Sequence, residues 1–284
     1  LLVQAIPFIR AKGVAVVVDM DDDLTRIDPS NPAFYAMHPR TGHPMHTWRN
    51  AHQACLNATL VTVSTPALLD VYAPHGRGVV LPNRVPSRYL DIPHPDSPVI
   101  GWPGSVHSHP LDLQEVGPAV ARLLREGRTY RGVGPAKGLR EGLGLDADPD
   151  TSGAVDIEDY PYELTTIGVG LAPLADTRFN AAKSWLKPLE LSALGVPWVA
   201  SPRVEYQRFH EAHNVGLLAA RPKDWYQQVK KLTGNEALRV EQSAAGRAAA
   251  AANTLEAHAW RWWEAWSAAS LAQRKATGKV LTRV

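Results

Sequence analysis

Short apolar runs rich in valine and isoleucine recur along this chain of 284 residues, and they constrain its fold more than any other feature. Most are continuous rather than alternating, which is typical of parallel strands that helices cover on both faces. We predict strands at Val14–Asp19, Leu60–Ser64, Gly78–Leu81, Val99–Trp102, Thr129–Val133, Thr166–Leu171, Pro197–Ala200 and Val215–Ala219. Helical patterns lie between them, at Pro110–Arg125, Lys183–Leu194 and Asp224–Leu232. Strands that alternate with helices predict an α/β fold with doubly wound parallel sheets.

A proline-rich stretch divides the predicted strands into two groups. Asp91–Pro98 carries three prolines in eight residues, which is typical of a linker. We predict a partial Rossmann-like domain over residues 1–95, a complete one over 96–239 and a helical tail over 240–284. The alanine-rich stretch from Glu236 to Lys275 forms most of that tail, and Gly246 is its predicted break. Because the chain starts at Leu1 within a helical pattern, we expect that a segment of the first domain lies upstream.

Composition excludes several classes of protein. The chain is 45% hydrophobic and 20% charged, so it can bury a large core and does not have the composition of a disordered protein. It contains no apolar stretch long enough to predict a membrane span, and its start lacks the pattern of a signal peptide. Cys55 is the single cysteine, which excludes an internal disulfide and a cysteine zinc site and favours a cytoplasmic location. A net charge of +2 makes no case for nucleic acid as a partner.

Four carboxylates follow the first predicted strand, at Asp19 and Asp21–Asp23. Ligands of α/β proteins gather at the carboxyl ends of strands, and clustered carboxylates need a cation, hydrogen bonds or solvent. One interpretation is a metal site of the DxD type. The interpretation that we favour gives Asp19, Asp21 and Asp22 an acceptor-facing or structural role, with no bound metal.

A glycine-bearing turn follows the strand that opens the second domain, at Gly104 and Ser105. Such a turn brings backbone N–H groups close to a phosphate, although a plain tight turn explains it as well. His107 and His109 follow, and either could donate a hydrogen bond to a phosphate or a sugar hydroxyl. No third zinc ligand lies near them in the sequence.

The helical pattern at Lys183–Leu194 combines charge with a predicted helix start. Lys183 and Ser184 are predicted to begin this helix, where an anionic group is stabilised. Glu190 lies about two turns further, at the distance of a ribose if phosphates bind at the helix start. The alternative is an ordinary amphipathic helix with a surface pair between Lys187 and Glu190.

Tryptophans recur in the tail at Trp260, Trp262, Trp263 and Trp266. Aromatic residues next to basic ones are typical of proteins that bind single-stranded nucleic acid. An aromatic stripe on one helix is more often a packing surface, and we therefore predict that this helix packs across another domain.

Taken together in their order and spacing, the motifs resemble those of a known family. They are D-x-DDD, Val61–Leu68, Val80–Asn83, Ile100–Ser105 with His109 and Asp112, Gly132–Gly134, Ile167–Leu174, Phe179–Ser184 and Leu189–Ser201. The chain resembles a GT-B glycosyltransferase of the GT4-like "group 1" superfamily, particularly the small variants of actinobacteria and their phages. The similarity runs from about Val14 to Leu232.

The resemblance implies two Rossmann-like domains that face each other across a cleft, with a last helix that crosses back to the first domain. The second domain would bind a nucleotide-diphosphate sugar and the first an acceptor, which we expect to be a protein or a glycan. The expected activity is retaining and independent of metals and cofactors. Alternatives are transfer to modified bases of phage DNA, and a binding module without catalysis.

Residue roles follow from the same resemblance. The first glutamate of the family's E-x7-E motif falls at Ala182, so this chain lacks that carboxylate. The basic residues expected to stabilise the leaving diphosphate are replaced, and we name His109, Lys183 and Lys187 as catalytic. The donor-binding residues implied by position are Gly104, Ser105, Ser184, Glu190, Ile157 and Tyr160.

Overall fold

The first of two parallel sheets has three strands, in a computed structural model that describes residues 2–278. Its strands are β1 (Val17–Met20), β2 (Leu60–Val63) and β3 (Gly78–Val80), in the order β1-β2-β3. The helices of this region are α1 (Leu2–Ala11), α2 (Phe34–Met37), α3 (Thr47–Asn57) and α4 (Pro66–Tyr72). Valines of β2 and aliphatic residues of α4 form one small core.

The second sheet has six parallel strands. They are β4 (Ile100–Pro103), β5 (Tyr130–Val133), β6 (Asp150–Thr151), β7 (Val169–Ala172), β8 (Trp198–Ala200) and β9 (Leu217–Leu218). Their spatial order is β6-β5-β4-β7-β8-β9, which is the order of a complete Rossmann-like sheet. The strand order reverses between β4 and β7, and ligands of such sheets bind at the carboxyl ends of the strands on either side of that point.

Helices cover both faces of the second sheet, as the continuous apolar runs predict. They are α5 (Leu113–Val116), α6 (Ala119–Arg125), α7 (Leu139–Leu143), α8 (Tyr160–Leu164), α9 (Leu186–Ala193), α10 (Val204–His213) and α11 (Pro222–Thr233). Buried tryptophans anchor both cores: Trp198 packs among residues of α9 and α10 on one face, and Trp102 and Trp225 lie on the other. The α/β class and the doubly wound parallel topology are confirmed.

Two local predictions are wrong. The helix expected over Pro110–Arg125 is interrupted at Gly117, whose φ of 55° is a conformation that a helix cannot continue through. The strand β6 is absent from the predicted set, because it has only two residues and both are polar.

The tail forms two helices, α12 (Glu236–Ala251) and α13 (Leu255–Ala276). The chain breaks at residues 252–254 and not at Gly246, which lies inside α12. A Cβ at Gly246 would lie 3.3 Å from Cα of Ser192, so the glycine lets α12 pack closely on α9. The prediction of a break at Gly246 is therefore wrong, because this glycine marks a close contact between two helices and not the end of one. The division at residues 95 and 239 stays a prediction.

Helix α13 crosses back to the three-stranded sheet. Gln273 accepts a hydrogen bond from Thr59 (3.0 Å) and from Nε of Arg10 (2.9 Å), and Arg261 donates one to the carbonyl of Val80 (3.4 Å). The prediction that the tryptophans pack against another domain is wrong for three of the four, because Trp260, Trp263 and Trp266 are exposed. No helix within residues 2–278 is long and apolar enough to cross a membrane.

Candidate functional site

The carboxyl ends of β4 and β7 lie side by side, and the loops that follow them carry most of the polar residues singled out above. Gly104 directly follows β4, and its N–H donates to the carbonyl of Val133 at 3.0 Å. A Cβ on Gly134 would lie 2.2 Å from the carbonyl oxygen of Gly104, and Gly134 has a φ of 135°. The loops after β4 and β5 therefore touch through backbone atoms. The Gly104 amide is engaged within the sheet, whereas the prediction had assigned it to a phosphate.

Ser105 and His109 continue this loop. The carbonyl of Ser105 accepts hydrogen bonds from the N–H groups of Ser108 (3.2 Å) and His109 (3.0 Å), which folds the loop back on itself. Nδ1 of His109 lies 3.1 Å from Oδ2 of Asp112. The ring nitrogen that remains for a substrate is therefore Nε2.

Asp112 is buried and joins the loops after β4 and β7. Its Oδ1 accepts hydrogen bonds from Nδ2 of Asn180 (2.7 Å) and from the N–H of Ala175 (2.9 Å). Because Asp112 also contacts His109, one carboxylate fixes an imidazole from one loop and the backbone of the other. Asp112 and Asn180 were part of the recognised motifs, but sequence reasoning gave neither a role.

Lys183 and Ser184 precede α9 rather than begin it. A short 3₁₀ helix over Asn180–Ala182 ends at Lys183, whose backbone is extended, and α9 starts at Leu186. The physical reason is Pro188: a proline lacks the N–H that a helix needs beyond its first turn, so the helix cannot start much earlier. The prediction that the helix starts at Lys183 is therefore wrong by three residues.

These two residues meet the acidic loop of the other domain. Nζ of Lys183 lies 2.6 Å from Oδ1 of Asp22, and Nδ2 of Asn83 donates to Oδ1 of Asp21 (3.1 Å) and to Oγ of Ser184 (2.8 Å). We call these five residues the interdomain clasp. Lys183 is the one charged residue of the Phe179–Ser184 loop, and the clasp holds it against the carboxylates that follow β1.

Further contacts hold the clasp in place. Nε1 of Trp185 donates to the carbonyl of Asn83 (3.1 Å), and Oγ1 of Thr65 donates to the carbonyl of Ala182 (3.0 Å). The amide of Asn31 reaches the carbonyl of Ser108 at 2.9 Å. Both loops of the second domain thus contact the first domain through directed hydrogen bonds.

The remaining two carboxylates stay within their own domain. Asp19 accepts a hydrogen bond from Thr62, and buried Asp23 accepts one from the N–H of Thr25 at 2.9 Å. Hydrogen bonds of this kind fit a structural role for these two carboxylates, and the acceptor-facing role stays a prediction. Within residues 2–278 there is no group of three or more His, Cys, Asp or Glu side chains that could hold a metal ion.

Lys187 and Glu190 lie one turn apart on α9 beneath the clasp. Nζ of Lys187 donates to the carbonyl of Pro103 and lies 5.6 Å from the ring centre of Trp102. Burial lowers the pKa of Lys187, and the charges of Glu190 and Asp112 oppose that shift. Water screens a half-buried cation less than an exposed one, and a bound anion would therefore interact with it more strongly.

Burial shifts the pKa of Glu190 in the opposite direction to that of Lys187. It raises the pKa of Glu190 to about 7, and Lys187 and the hydroxyl of Tyr160 oppose that shift. The Tyr160 hydroxyl donates to Oε2 of Glu190 at 3.3 Å. The carboxyl can therefore change its charge near neutral pH when a ligand changes its surroundings. Ile157, which the resemblance also implied as a donor-binding residue, is 71% exposed.

Comparisons with known proteins give structures but no sequence family. No family model and no curated protein matches the chain. Among solved structures, Anabaena HepE in complex with UDP has a TM-score of 0.67 at 15% identity over 94% of this chain and 76% of its own. The sucrose-phosphate synthase of Thermosynechococcus elongatus has a TM-score of 0.62 at 17% identity, covering 84% of this chain and 66% of its own.

S. aureus TarM is a third similar structure. It has a TM-score of 0.59 at 15% identity over 78% of this chain, which spans 46% of TarM. The chain has the GT-B fold. In the GT-B fold two Rossmann-like sheets face a cleft, and here the clasp residues and the loops after β4 and β7 lie between the sheets.

Proposed function

We propose that this protein is a GT4-like glycosyltransferase that moves a sugar from a nucleotide-diphosphate sugar to an acceptor hydroxyl. The observation that carries the proposal is that the loops after β4 and β7, the strands on either side of the point where the strand order reverses, carry His109 and Lys183. Lys187 contacts the end of β4, and Lys183 contacts the acidic loop of the other domain. HepE and TarM, with the same fold, were crystallised with UDP. The diphosphate would bind at this point.

The chemistry asked of the protein is mainly electrostatic. The bond between the anomeric carbon and the diphosphate breaks while the acceptor oxygen forms its bond to that carbon, and the acceptor proton passes to the departing phosphate oxygen. Negative charge grows on the diphosphate, and preorganised donors that face this charge lower the barrier. Lys183 and His109 supply such donors from two different loops, and Lys187 adds a half-buried positive charge beneath them.

Glu190 and Tyr160 would receive the nucleoside. An ionised Glu190 accepts hydrogen bonds from two ribose hydroxyls, and Tyr160 already holds that carboxyl in place. The acceptor would approach from the side of Asp19, Asp21 and Asp22. We propose a protein or glycan acceptor, retention of configuration, catalysis without a metal and a cytoplasmic location, which the lone buried thiol of Cys55 supports.

Calorimetric titration with UDP, GDP and dTDP tests the proposal. We expect one of them to bind to the unmodified protein and Lys183→Ala and Glu190→Ala to weaken that binding at least tenfold. Lys223→Ala, at an exposed position of α11, is the matched control and should bind as the unmodified protein does. If no nucleotide binds, or if neither variant weakens binding, the proposed donor site is wrong.

Ala182 is the observation that favours a binding module without catalysis, since the donor-sugar carboxylate of the related enzymes is absent there. Release of free sugar from the matching nucleotide sugar separates the two functions. A protein that binds the donor and releases no sugar over hours, with or without an acceptor, is a binding module.

A further inference from the structure

Arg84 is a half-buried cation in the segment that joins the two sheets. It follows the end of β3 by four residues, and its Nη1 donates to Oδ1 of buried Asn253, which lies between α12 and α13. Its guanidinium lies over the ring of Trp185, with Cζ 5.7 Å from the ring centre. Arg84 therefore contacts both the residue that precedes α9 and the corner between the last two helices.

The Arg84 guanidinium lacks a counter-charge. Within residues 2–278, Asn253 is the one hydrogen-bond acceptor for this side chain, and no carboxylate forms an ion pair with it. Its Nε is buried without a partner. Burial, with an added contribution from the charge of Arg261, lowers the pKa of Arg84 to about 10. Because a charge removed from water is costly unless an opposite charge compensates it, these surroundings favour the binding of an anion.

Arg261 brings a second positive charge to the same segments of chain. This residue of α13 donates to the carbonyl of Val80 at 3.4 Å, while Arg84 contacts Asn253 just before α13. Both arginines thus connect the chain that follows β2 to the beginning of the last helix. Glu264 lies one turn further along α13, but among the described residues no carboxylate, Glu264 included, forms an ion pair with Arg261. The two positive charges are therefore uncompensated.

His213 shows that this positive charge affects its surroundings. Nε2 of His213 lies 3.1 Å from Nδ2 of Asn253, so the ring lies beside the residue that holds Arg84. Burial, and then the charge of Arg84, lower the pKa of this histidine below its ordinary value. Two arginines and a histidine thus lie close together, and a cluster of basic groups attracts anions.

A phosphate group has the chemistry that fits these side chains. Near neutral pH it carries up to two negative charges, which match the charges of the two guanidinium groups. Nε and Nη2 form the edge of the Arg84 guanidinium that can donate two parallel hydrogen bonds to one oxyanion. Neither of these atoms has a partner among residues 2–278, whereas Nη1 is already held by Asn253.

We propose that Arg84 and Arg261 form a binding site for a phosphate group, either inorganic phosphate or the phosphate of a larger molecule, between the segment that follows β3 and the start of α13. The inference does not rest on the proposed function. Lys183 pairs with Asp22 and Lys187 donates to the carbonyl of Pro103, so the lysines of the proposed donor site are engaged elsewhere.

Calorimetric titration with inorganic phosphate, at an ionic strength kept constant with sodium chloride, is the first test. We expect saturable binding to the unmodified protein, and Arg84→Met and Arg261→Met should each weaken it about tenfold or more, because each removes charge-assisted hydrogen bonds. Arg88→Met is the matched control and should bind as the unmodified protein does, since Arg88 is an exposed arginine that already pairs with Glu158 at 2.9 Å. If Arg84→Met does not fold, Arg261→Met decides, because Arg261 makes one hydrogen bond within the described residues. The absence of saturable binding overturns the proposal, and so does binding that either folded variant leaves unchanged.

Lys183→Ala separates this site from the proposed donor site. We expect this variant, and also the protein saturated with a nucleoside diphosphate, to bind inorganic phosphate with unchanged affinity. Affinity that falls in Lys183→Ala but not in Arg84→Met places the phosphate at the clasp, which overturns this inference and leaves the donor site standing.

Glycerol 3-phosphate, titrated in the same way, distinguishes the two sources of the phosphate group. Binding that is tighter than that of inorganic phosphate and is lost in Arg84→Met supports a phosphate of a larger molecule. Weaker binding with the same dependence on Arg84 supports free phosphate.

Discussion

Replacement of Asp22 by asparagine should strengthen the binding of a nucleoside diphosphate. In the clasp the Lys183 ammonium is paired with the Asp22 carboxylate at 2.6 Å, and a phosphate that uses this lysine must compete with that carboxylate. The asparagine side chain would keep the size of the aspartate and its capacity to form hydrogen bonds, and it would remove the competing charge.

The exposure of the pair sets the magnitude of this effect. The Lys183 side chain is 21% exposed and that of Asp22 is 45% exposed, and solvent-screened pairs of this kind contribute about 0.2–1 kcal/mol. Asp22→Asn should therefore tighten UDP binding by at most about fivefold. Lys183→Met, in contrast, removes a charge-assisted hydrogen bond worth about 1.5–3 kcal/mol and should weaken binding about 10- to 150-fold.

Calorimetric titration with UDP at low and high ionic strength measures both effects. Salt screens the pair between Asp22 and Lys183, so the gain in affinity should shrink as the salt concentration rises. Asp21→Asn is the matched control: Asp21 is the adjacent carboxylate but contacts Asn83 rather than the lysine, and its replacement should change UDP affinity less. If Asp22→Asn weakens UDP binding as Lys183→Met does, Asp22 positions the lysine and the competition argument is refuted. An equal gain in Asp21→Asn would show that the effect is not specific to the pair.

Three further predictions concern the same cleft and its support. Gly134→Ala should lower the free energy of unfolding by about 1–3 kcal/mol in denaturant titrations, because its Cβ would lie 2.2 Å from the carbonyl oxygen of Gly104. If ribose hydroxyls bind ionised Glu190, UDP affinity should rise with pH through about 7, the raised pKa of this carboxyl, and Glu190→Gln should abolish that pH dependence. Arg239→Met should cost about 1.5–3 kcal/mol of stability, because Arg239 holds Asp96 through bonds of 2.8 and 2.6 Å. That arginine lowers the pKa of Asp96 below its ordinary value. The pair therefore stabilises the protein at pH values above the ordinary pKa of an aspartate, and this contribution is lost as acid protonates Asp96. A series of unfolding curves from pH 5 to pH 2 would show the loss.

The sheet could be predicted from the sequence because parallel strands buried on both faces leave a strong local signal. All eight predicted strands correspond to strands of the structure, with ends that shift by a few residues. The edge strand β6 left no such signal. Arg131 of β5 forms an ion pair of 2.5 Å with Asp150 of β6, so side chains from a neighbouring strand support its pairing.

The clasp could not be predicted, because its partners lie far apart in the sequence. Lys183 and Asp22 are separated by 161 residues, and neither has a local pattern that indicates the other. Asn83 bridges both domains, and its only sequence signal is its place directly after the strand β3 and Pro82. The local motif identified the right loops, while the contacts between them depend on how the two sheets are placed.

The start of α9 shows how one residue changes the chemistry of the site. Had the helix begun at Lys183, that lysine and Ser184 would lie in its first turn and point along its surface. Pro188 delays the start to Leu186, so Lys183 lies in extended backbone that reaches the Asp22 carboxylate, while Lys187 enters the first turn under the Pro103 carbonyl. The two lysines therefore differ in partner, although both are half-buried: Lys183 pairs with the Asp22 carboxylate, and Lys187 donates to the Pro103 carbonyl. This arrangement predicts that neither lysine can replace the other. A protein with only Lys183 would keep the direct contact to the phosphate, and one with only Lys187 would keep only the nearby positive charge.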